Sequence, residues 1–166
     1  MLVCDYESPL GLMLLAQEGE FIVGLWFREQ KYFPNMQLEK GDTPLLKKAR
    51  NWLDRYFAGE QPSPEELPLA PRGTAFRQEV WKLLMKIPYG ETSTYGLLAQ
   101  QMAQQRGISR MSAQAVGGAV GHNPISIIIP CHRVLGTDGS LTGYAGGLER
   151  KAALLAIEQG DRKRPV

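Results

Sequence analysis

Apolar residues near the amino terminus fall in short runs bounded by turn clusters. Leu12, Met13, Leu14, Leu15 and Ala16 follow Ser8-Pro9-Leu10-Gly11. Gln17-Glu18-Gly19-Glu20 then separates them from a run between Phe21 and Phe27 that is rich in aromatic and β-branched residues. Such runs predict β-hairpins. From residue 42 the period becomes helical. Asp42 or Thr43 can cap a helix with Pro44 at its first position and Gly59 past its end. Leu45, Leu46, Ala49, Trp52, Leu53, Tyr56 and Phe57 form one apolar stripe on it, read as core. Residues 61–71 hold Pro62, Pro64, Pro68 and Pro71, too many for a helix or central strand. This is a stiff connector, and it divides the chain into an amino-terminal scaffold domain, residues 1–70, and a second domain, residues 71–166.

The second part patterns as helices. Thr74 can cap one that runs to about Ile87, with Phe76, Val80, Leu83, Leu84 and Ile87 on one face. Pro88-Tyr89-Gly90 breaks it. Another begins at Thr92 or Ser93 and carries Tyr95, Leu98, Ala99 and Met102. After Gly107, Ser112 caps a helix of small residues, Ala113 to Val120, in which Gly117 and Gly118 sit side by side. Gly and Ala inside a helix cost stability, so they belong where something approaches the backbone closely. That something is either another helix or a nucleic-acid backbone near the capped helix start. Two short helices with a tight connector fit a helix-turn-helix.

Composition sharpens this picture in two places. The 166 residues, with 43% apolar and 22% charged, suit a folded chain with a sizeable core. The net charge of +2 conceals a split. Residues 1–70 hold 7 Lys+Arg against 11 Asp+Glu, a net of −4, while residues 71–166 hold 12 against 6, a net of +6. Only the second part is expected to face an anionic partner. Arg162, Lys163 and Arg164 contribute half of that excess from a tail expected to be frayed. The two cysteines, Cys4 and Cys131, and two histidines, His122 and His132, lack the close spacing of a structural zinc site, so no metal is expected. Unpaired thiols point to a cytoplasmic protein. The first residues have no basic n-region of a signal peptide, and no apolar run is long enough to span a membrane.

The candidate chemistry lies at Ser126-Ile-Ile-Ile-Pro-Cys-His-Arg-Val134. Three isoleucines read as a short buried strand that Pro130 ends just before Cys131. A thiol there is desolvated, which raises its pKa and leaves it inert. To react it needs a base and a group that holds the resulting charge. His132 is adjacent, but neighbours on an extended backbone point apart, so a bridging water suits the pair better than direct contact.

Ile129-Pro-Cys-His-Arg-Val134 resembles the active-site motif of the O6-alkylguanine-DNA alkyltransferases, the methylated-DNA–protein-cysteine methyltransferases. The resemblance extends over nearly the whole chain. Gln114-Ala-Val-Gly-Gly-Ala119 with Asn123-Pro124 looks like the recognition helix and asparagine hinge. Pro88-Tyr-Gly-Glu91 with Thr94-Tyr95 looks like the start of the first helix of the pair. Thr142-Gly-Tyr-Ala-Gly-Gly147 looks like the substrate loop. Leu154-Leu155 with Glu158-Gln-Gly160 looks like the closing helix, and Tyr6-Glu-Ser-Pro-Leu-Gly11 like the first turn of the amino-terminal domain.

The resemblance implies an α+β fold: a small antiparallel sheet with one helix, ribonuclease-H-like, then a helical winged-helix-like domain. It implies a monomer that acts on double-stranded DNA from the minor groove, without cofactor or membrane. The base, an O6-alkylguanine or O4-alkylthymine, is flipped into a pocket and its alkyl group passes irreversibly to Cys131. Roles follow by resemblance. His132 takes the thiol proton through a water, Glu158 orients His132, Asn123 holds the turn, and Tyr95 donates to the departing guanine. Tyr144 lines the pocket, where backbone groups of Cys131, Val134, Ala145 and Gly146 read the base. Ser112, Ala113, Gln114, Arg110, Thr94 and Thr137 face DNA.

Gln114 stands where the family usually has an arginine that fills the gap left by the flipped base. It fills the space without charge, so a shallow salt dependence is expected. Arg110, one turn earlier, is a possible substitute charge. Cys4 alone cannot make the zinc site of some relatives, and no preceding regulatory domain is expected. Two other readings remain: a DNA-lesion sensor without transfer activity, against which Cys131 argues, and a thiol hydrolase, whose nucleophile and base are usually distant in sequence.

Overall fold

The computed structural model describes residues 1–34 and 37–160. The basic tail, Arg162, Lys163 and Arg164, lies outside the described residues. Three strands, β1 (Leu2–Ser8), β2 (Gly11–Glu18) and β3 (Phe21–Phe27), form an antiparallel meander, as the alternating runs and turn clusters predict. Gly19, at φ +58°, makes the left-handed turn into β3. The sheet is not wholly antiparallel. A two-residue strand, β4 (Glu39–Lys40), reaches the far edge and pairs parallel with β1, giving the order β3-β2-β1-β4.

Both faces of this sheet are covered. Ala16 pairs with Gly24 and Gln17 with Ile22, so Val23 is an extra residue in β3. That bulge switches the parity of the strand. Ile22 therefore shares a face with Leu25 and Phe27, while Val23 and Trp26 pack in a second cluster with Val3, Leu14 and Ala16. Helix α1 (Pro44–Phe57) is capped by Thr43, whose hydroxyl accepts from the Leu46 N–H. Asp42, the other candidate, pairs instead with Arg50. Leu46, Ala49, Trp52, Leu53 and Tyr56 are buried, as their stripe predicts, and they join one core that continues through Trp81, Ile129 and Leu154.

The outer edge of β3 is closed by two single bridges. Ile22 exchanges backbone hydrogen bonds with Pro68 and Ala70 of the proline-rich connector. Leu25 does the same with Pro124 and Ser126. The bridges protect an otherwise open edge, and the second ties the sheet to the segment leading to Cys131.

Helix α2 (Ala75–Leu84) starts on its Thr74 cap but stops short of the expected Ile87. Lys86 and Ile87 close with tighter three-residue turns onto Leu83 and Leu84. Pro88 follows, and the residue before a proline is disfavoured in helical backbone. The next helix also begins later than expected. Ser93 and Thr94 form β5 (Ser93–Thr94), paired parallel with β6 (Val134–Leu135), and Thr94 caps α3 (Tyr95–Arg106). Gly107, at φ +66°, ends α3. Ser112 then caps α4 (Ala113–Gly121), and α5 (Leu148–Gln159) closes the described chain. Trp81 donates its indole N–H to the Ala119 carbonyl of α4 at 2.8 Å. Of the small residues on α4, Gly117 lies against the Tyr95 ring, and Gly118 and Gly121 face open space. The architecture is the α+β arrangement expected.

A methyl group on Gly24 would land inside the Trp26 indole. Gly24→Ala is therefore expected to lower the unfolding free energy by about 1–3 kcal/mol through overpacking. Urea titration should show a lower midpoint at an unchanged slope; an unchanged midpoint would mean that the indole moves aside freely.

Candidate active site

The segment before Cys131 is a turn, not the short strand that three isoleucines suggest. Asn123 governs it. Its side-chain N–H groups donate to the carbonyls of Ile125 (3.2 Å) and Ile129 (2.8 Å), and its oxygen accepts from the Ile125 N–H (3.0 Å). These bonds take the places that ladder bonds would fill in a strand. Ile127 is held at φ +69°, a left-handed conformation that a β-branched residue rarely adopts. Such strain, on the order of 1–3 kcal/mol, persists only when the surroundings over-determine it. Here Ile127, Ile128 and Ile129 are all buried, and Asn123 spans the turn. The chain then enters a 3-10 turn, Cys131–Arg133, so Cys131 and His132 do not lie on extended backbone.

Cys131 is 6% exposed. Burial pushes its thiol up, more than the hydrogen bond to Asn123 and the charge of Lys151 pull it down. The resting group is a protonated thiol. Beside it in sequence, His132 is fully buried, and its Nε2 lies 2.6 Å from Glu158 Oε2. Burial holds His132 below its ordinary value despite the carboxylate, which keeps the ring neutral.

Glu158 is the hub. It accepts from Tyr56 Oη (2.6 Å), Arg133 Nε (2.7 Å) and Nη2 (3.0 Å), the Gly90 N–H (3.2 Å) and His132. Burial alone would raise its pKa, but the bond from His132 and the charge that ring takes up in acid, then the bond and charge of Arg133, bring it down to about 2. A carboxylate that stays ionised can only accept, so the His132 proton sits on Nε2. His132 Nδ1 is left with its lone pair, buried and without a hydrogen-bond partner. The segment thus presents a neutral imidazole with an available Nδ1 next in sequence to a protonated thiol.

Tyr95 and Tyr144 join the same cluster. The Tyr95 hydroxyl donates to the Thr142 carbonyl at 3.3 Å, and burial followed by the nearby Cys131 raises its pKa. The Tyr144 hydroxyl lies by Ser126 without a hydrogen bond of normal geometry. The loop carrying Tyr144 is clamped to the sheet: Lys31 N–H donates to the Ala145 carbonyl, and Arg150 donates to the carbonyls of Gly146 and Leu10 while its guanidinium lies 4.4 Å from the centre of the Phe27 ring. The Val134 N–H donates to the Cys131 carbonyl. Some backbone groups expected to read a base are thus already engaged.

The remaining residues singled out in the sequence lie on the outside. Gln114 and Arg110 are exposed, Ala113 partly so, and the Ser112 hydroxyl is occupied as the cap of α4. Thr94 caps α3, and the exposed Thr137 lies within van der Waals reach of Gly96 on its first turn.

Three site residues escaped the sequence reading. Arg133 sits in the motif itself, buried, fixed by Glu158 and by the Ile87 carbonyl at 2.7 Å. Lys151 is fully buried, with Nζ held by the carbonyls of Thr142 (2.6 Å) and Gly143 (3.0 Å). Burial pulls it down to about 8, with Cys131 pulling the other way. The helical spacing of Lys151, Leu154 and Glu158 on α5 carried the signal for this residue. Tyr56 looked like any other member of the α1 stripe.

Because Glu158 is depressed from its ordinary 4.5 to about 2, its stabilising contribution is present above about pH 4.5 and is lost as pH falls toward 2. Glu158→Gln removes the charge facing Arg133 and is expected to cost about 3 kcal/mol at neutral pH. The gap between wild type and variant, measured by denaturant unfolding, should close progressively below pH 4.5. A gap that stayed constant to pH 2 would mean that the carboxylate charge carries no stability.

Comparisons with known proteins agree with this geometry. The family model of the 6-O-methylguanine DNA methyltransferase DNA-binding domain matches residues 75–160, and that of the ribonuclease-like domain matches residues 3–71. A methylated-DNA–protein-cysteine methyltransferase of Haemophilus influenzae is 48% identical, over 93% of this chain and 84% of its own length. One from Mycobacterium tuberculosis is 46% identical, over 92% and 89%. Among solved structures, Mycobacterium tuberculosis OGT in complex with DNA superimposes with a TM-score of 0.84 at 43% identity, covering 96% of this chain and 93% of that one. The chain belongs to the 6-O-methylguanine DNA methyltransferase family.

Proposed function

We propose that this chain is a methylated-DNA–protein-cysteine methyltransferase that reverses O6-alkylguanine damage in DNA by moving the alkyl group to Cys131. One observation carries the reading: His132 is locked by Glu158 with its buried Nδ1 left unpaired, next to a thiol that burial keeps protonated. Family membership supplies the substrate class, since the relatives carry that activity in their names.

The reaction is a single displacement. The thiol proton passes through one water to His132 Nδ1, and Glu158 holds the imidazolium that forms. The Cys131 sulfur attacks the alkyl carbon, an S–C bond forms, and the O–C bond breaks with its electron pair leaving on guanine. Tyr95 supplies the proton that the guanine gains, and the imidazolium proton passes through water to the phenolate that Tyr95 becomes, so no net proton is gained or lost. The product thioether has no easily hydrolysed bond, so each molecule acts once.

The alkylated oxygen is out of reach inside a base stack, so the nucleotide is flipped into the space beside Tyr144, Val134, Ala145 and Gly146. O4-alkylthymine fits the same chemistry. α3 and α4 serve as a helix-turn-helix, with α4 in the minor groove, Gln114 filling the gap left by the base, and Ser112, Ala113, Arg110, Thr94 and Thr137 along the backbones. A Cβ on Gly118 or Gly121 of α4 would meet nothing among the described residues, which suits close approach of a DNA backbone. The chain acts as a monomer, with residues 1–70 as scaffold and 71–166 carrying the site. No helix among the described residues is long and apolar enough to cross a membrane.

Incubation with duplex DNA containing O6-methylguanine should add one methyl mass to the peptide carrying Cys131. An unmodified Cys131 after full exposure would refute the reading. Cys131→Ala should lose transfer entirely and still bind the duplex in a gel-shift assay.

A further inference from the structure

Tyr56 is the one side chain of α1 whose polar atom reaches Glu158. It is fully buried, it lies 102 positions from Glu158 in sequence, and its hydroxyl contacts Oε2 at 2.6 Å. The same Oε2 holds His132 Nε2, also at 2.6 Å. Arg133 Nη2 reaches it too, at 3.0 Å, so three donors share one oxygen, and each weakens its hold on the others. Burial and the adjacent Glu158 charge push the Tyr56 phenol far up, so it remains a donor at any working pH. Its ring is fixed between Trp52, stacked at 5.8 Å, and Phe57 and Tyr89, each edge-on. The aim of the hydroxyl is thereby set by α1 and the turn after α2, and not by the segment that carries Cys131.

We propose that Tyr56 is a positioning residue of the transfer reaction: its hydroxyl fixes the Glu158 carboxylate and limits how strongly Glu158 holds the His132 proton. The proposal rests on the assignment of Cys131, His132 and Glu158 made above. Every group that faces Glu158 enters the balance. Tyr56 comes from α1, Tyr89 and the Gly90 N–H from the turn after α2, and His132 and Arg133 from the 3-10 turn. Lys151 on α5 and Tyr144 add their influence at longer range. Tyr56 and Arg133 Nη2 both share Oε2 with His132, and of the two Tyr56 is the one that can be removed without changing the charge of the cluster. When His132 becomes an imidazolium, a carboxylate already partly satisfied by Tyr56 restrains it less. The imidazolium proton is then easier to pass on to Tyr95.

The test is single-turnover transfer from O6-methylguanine duplex to Cys131, followed by mass across a range of pH, for wild type, Tyr56→Phe and Tyr6→Phe. Tyr56→Phe keeps the ring and removes the hydroxyl. Tyr6→Phe is the control, because Tyr6 also donates to a carboxylate, Asp54 Oδ1 at 2.7 Å, away from the site. Tyr56→Phe should transfer about tenfold more slowly, the rate equivalent of one charge-assisted hydrogen bond. Its acid limb should move to higher pH, because a carboxylate relieved of one donor holds the His132 proton more tightly. Tyr6→Phe should keep the wild-type limb. A Tyr56→Phe profile that superimposes on wild type overturns the proposal, and so does a slower rate with an unmoved limb, which marks Tyr56 as structural only. If Tyr56→Phe does not fold, a fluorinated tyrosine placed at position 56 is read instead. The stronger donor should move the limb to lower pH, and no movement overturns the proposal. Wild-type protein that leaves Cys131 unmethylated would instead refute the proposed function, so the two failures are distinct.

Discussion

The buried carboxylate of Glu158 is the constraint on which the rest of the site depends. An ionised group taken out of water costs several kcal/mol unless it is paired and hydrogen-bonded. Four residues meet that cost here, through five hydrogen bonds that arrive from α1, the Tyr89-Gly90 turn and the Cys131–Arg133 turn. The charge is thus a registry device. α5 can seat Glu158 only when the sheet-and-α1 part, the turn after α2 and the 3-10 turn are all in place. Arg133 supplies the compensating charge, and His132 is left neutral with one defined tautomer. Gly90 contributes its N–H from a left-handed turn, at φ +82°.

The nucleophile is placed by backbone more than by side-chain contact. Leu25 of β3 anchors Pro124 and Ser126, Asn123 bridges the turn, and Ile127 takes the strained conformation that turns the chain toward Cys131. The same burial that raises the thiol keeps it unreactive toward bulk solvent. The proposed transfer needs a base and a fixed carboxylate to ionise that thiol once an alkylated base is in place, the roles proposed for His132 and Glu158.

Much of this was legible in the sequence. The strand runs, the Thr43, Thr74 and Ser112 caps and the α1 stripe follow from period and capping chemistry, because local interactions decide them. Cys131 and His132 stand out from their own residues, while their roles and Glu158 come from the resemblance. The isoleucine run misled, because composition favours a strand while Asn123 supplies turn bonds that a strand cannot match. Ser93 and Thr94 were drawn from the helix start into a two-residue pairing with Val134 and Leu135, a long-range contact without local trace. Tyr56 was invisible for the same reason: an apolar stripe reports that a ring is buried, and not where its hydroxyl ends.

The central claim is that burial holds His132 neutral while Glu158 fixes its proton on Nε2 and leaves its Nδ1 free to accept. Nitrogen-15 NMR of the His132 ring at neutral pH tests it directly. The account predicts the shifts of a neutral ring protonated at Nε2, with the change to imidazolium confined to pH values below the ordinary histidine range. An imidazolium at neutral pH, or a ring protonated at Nδ1, would contradict it.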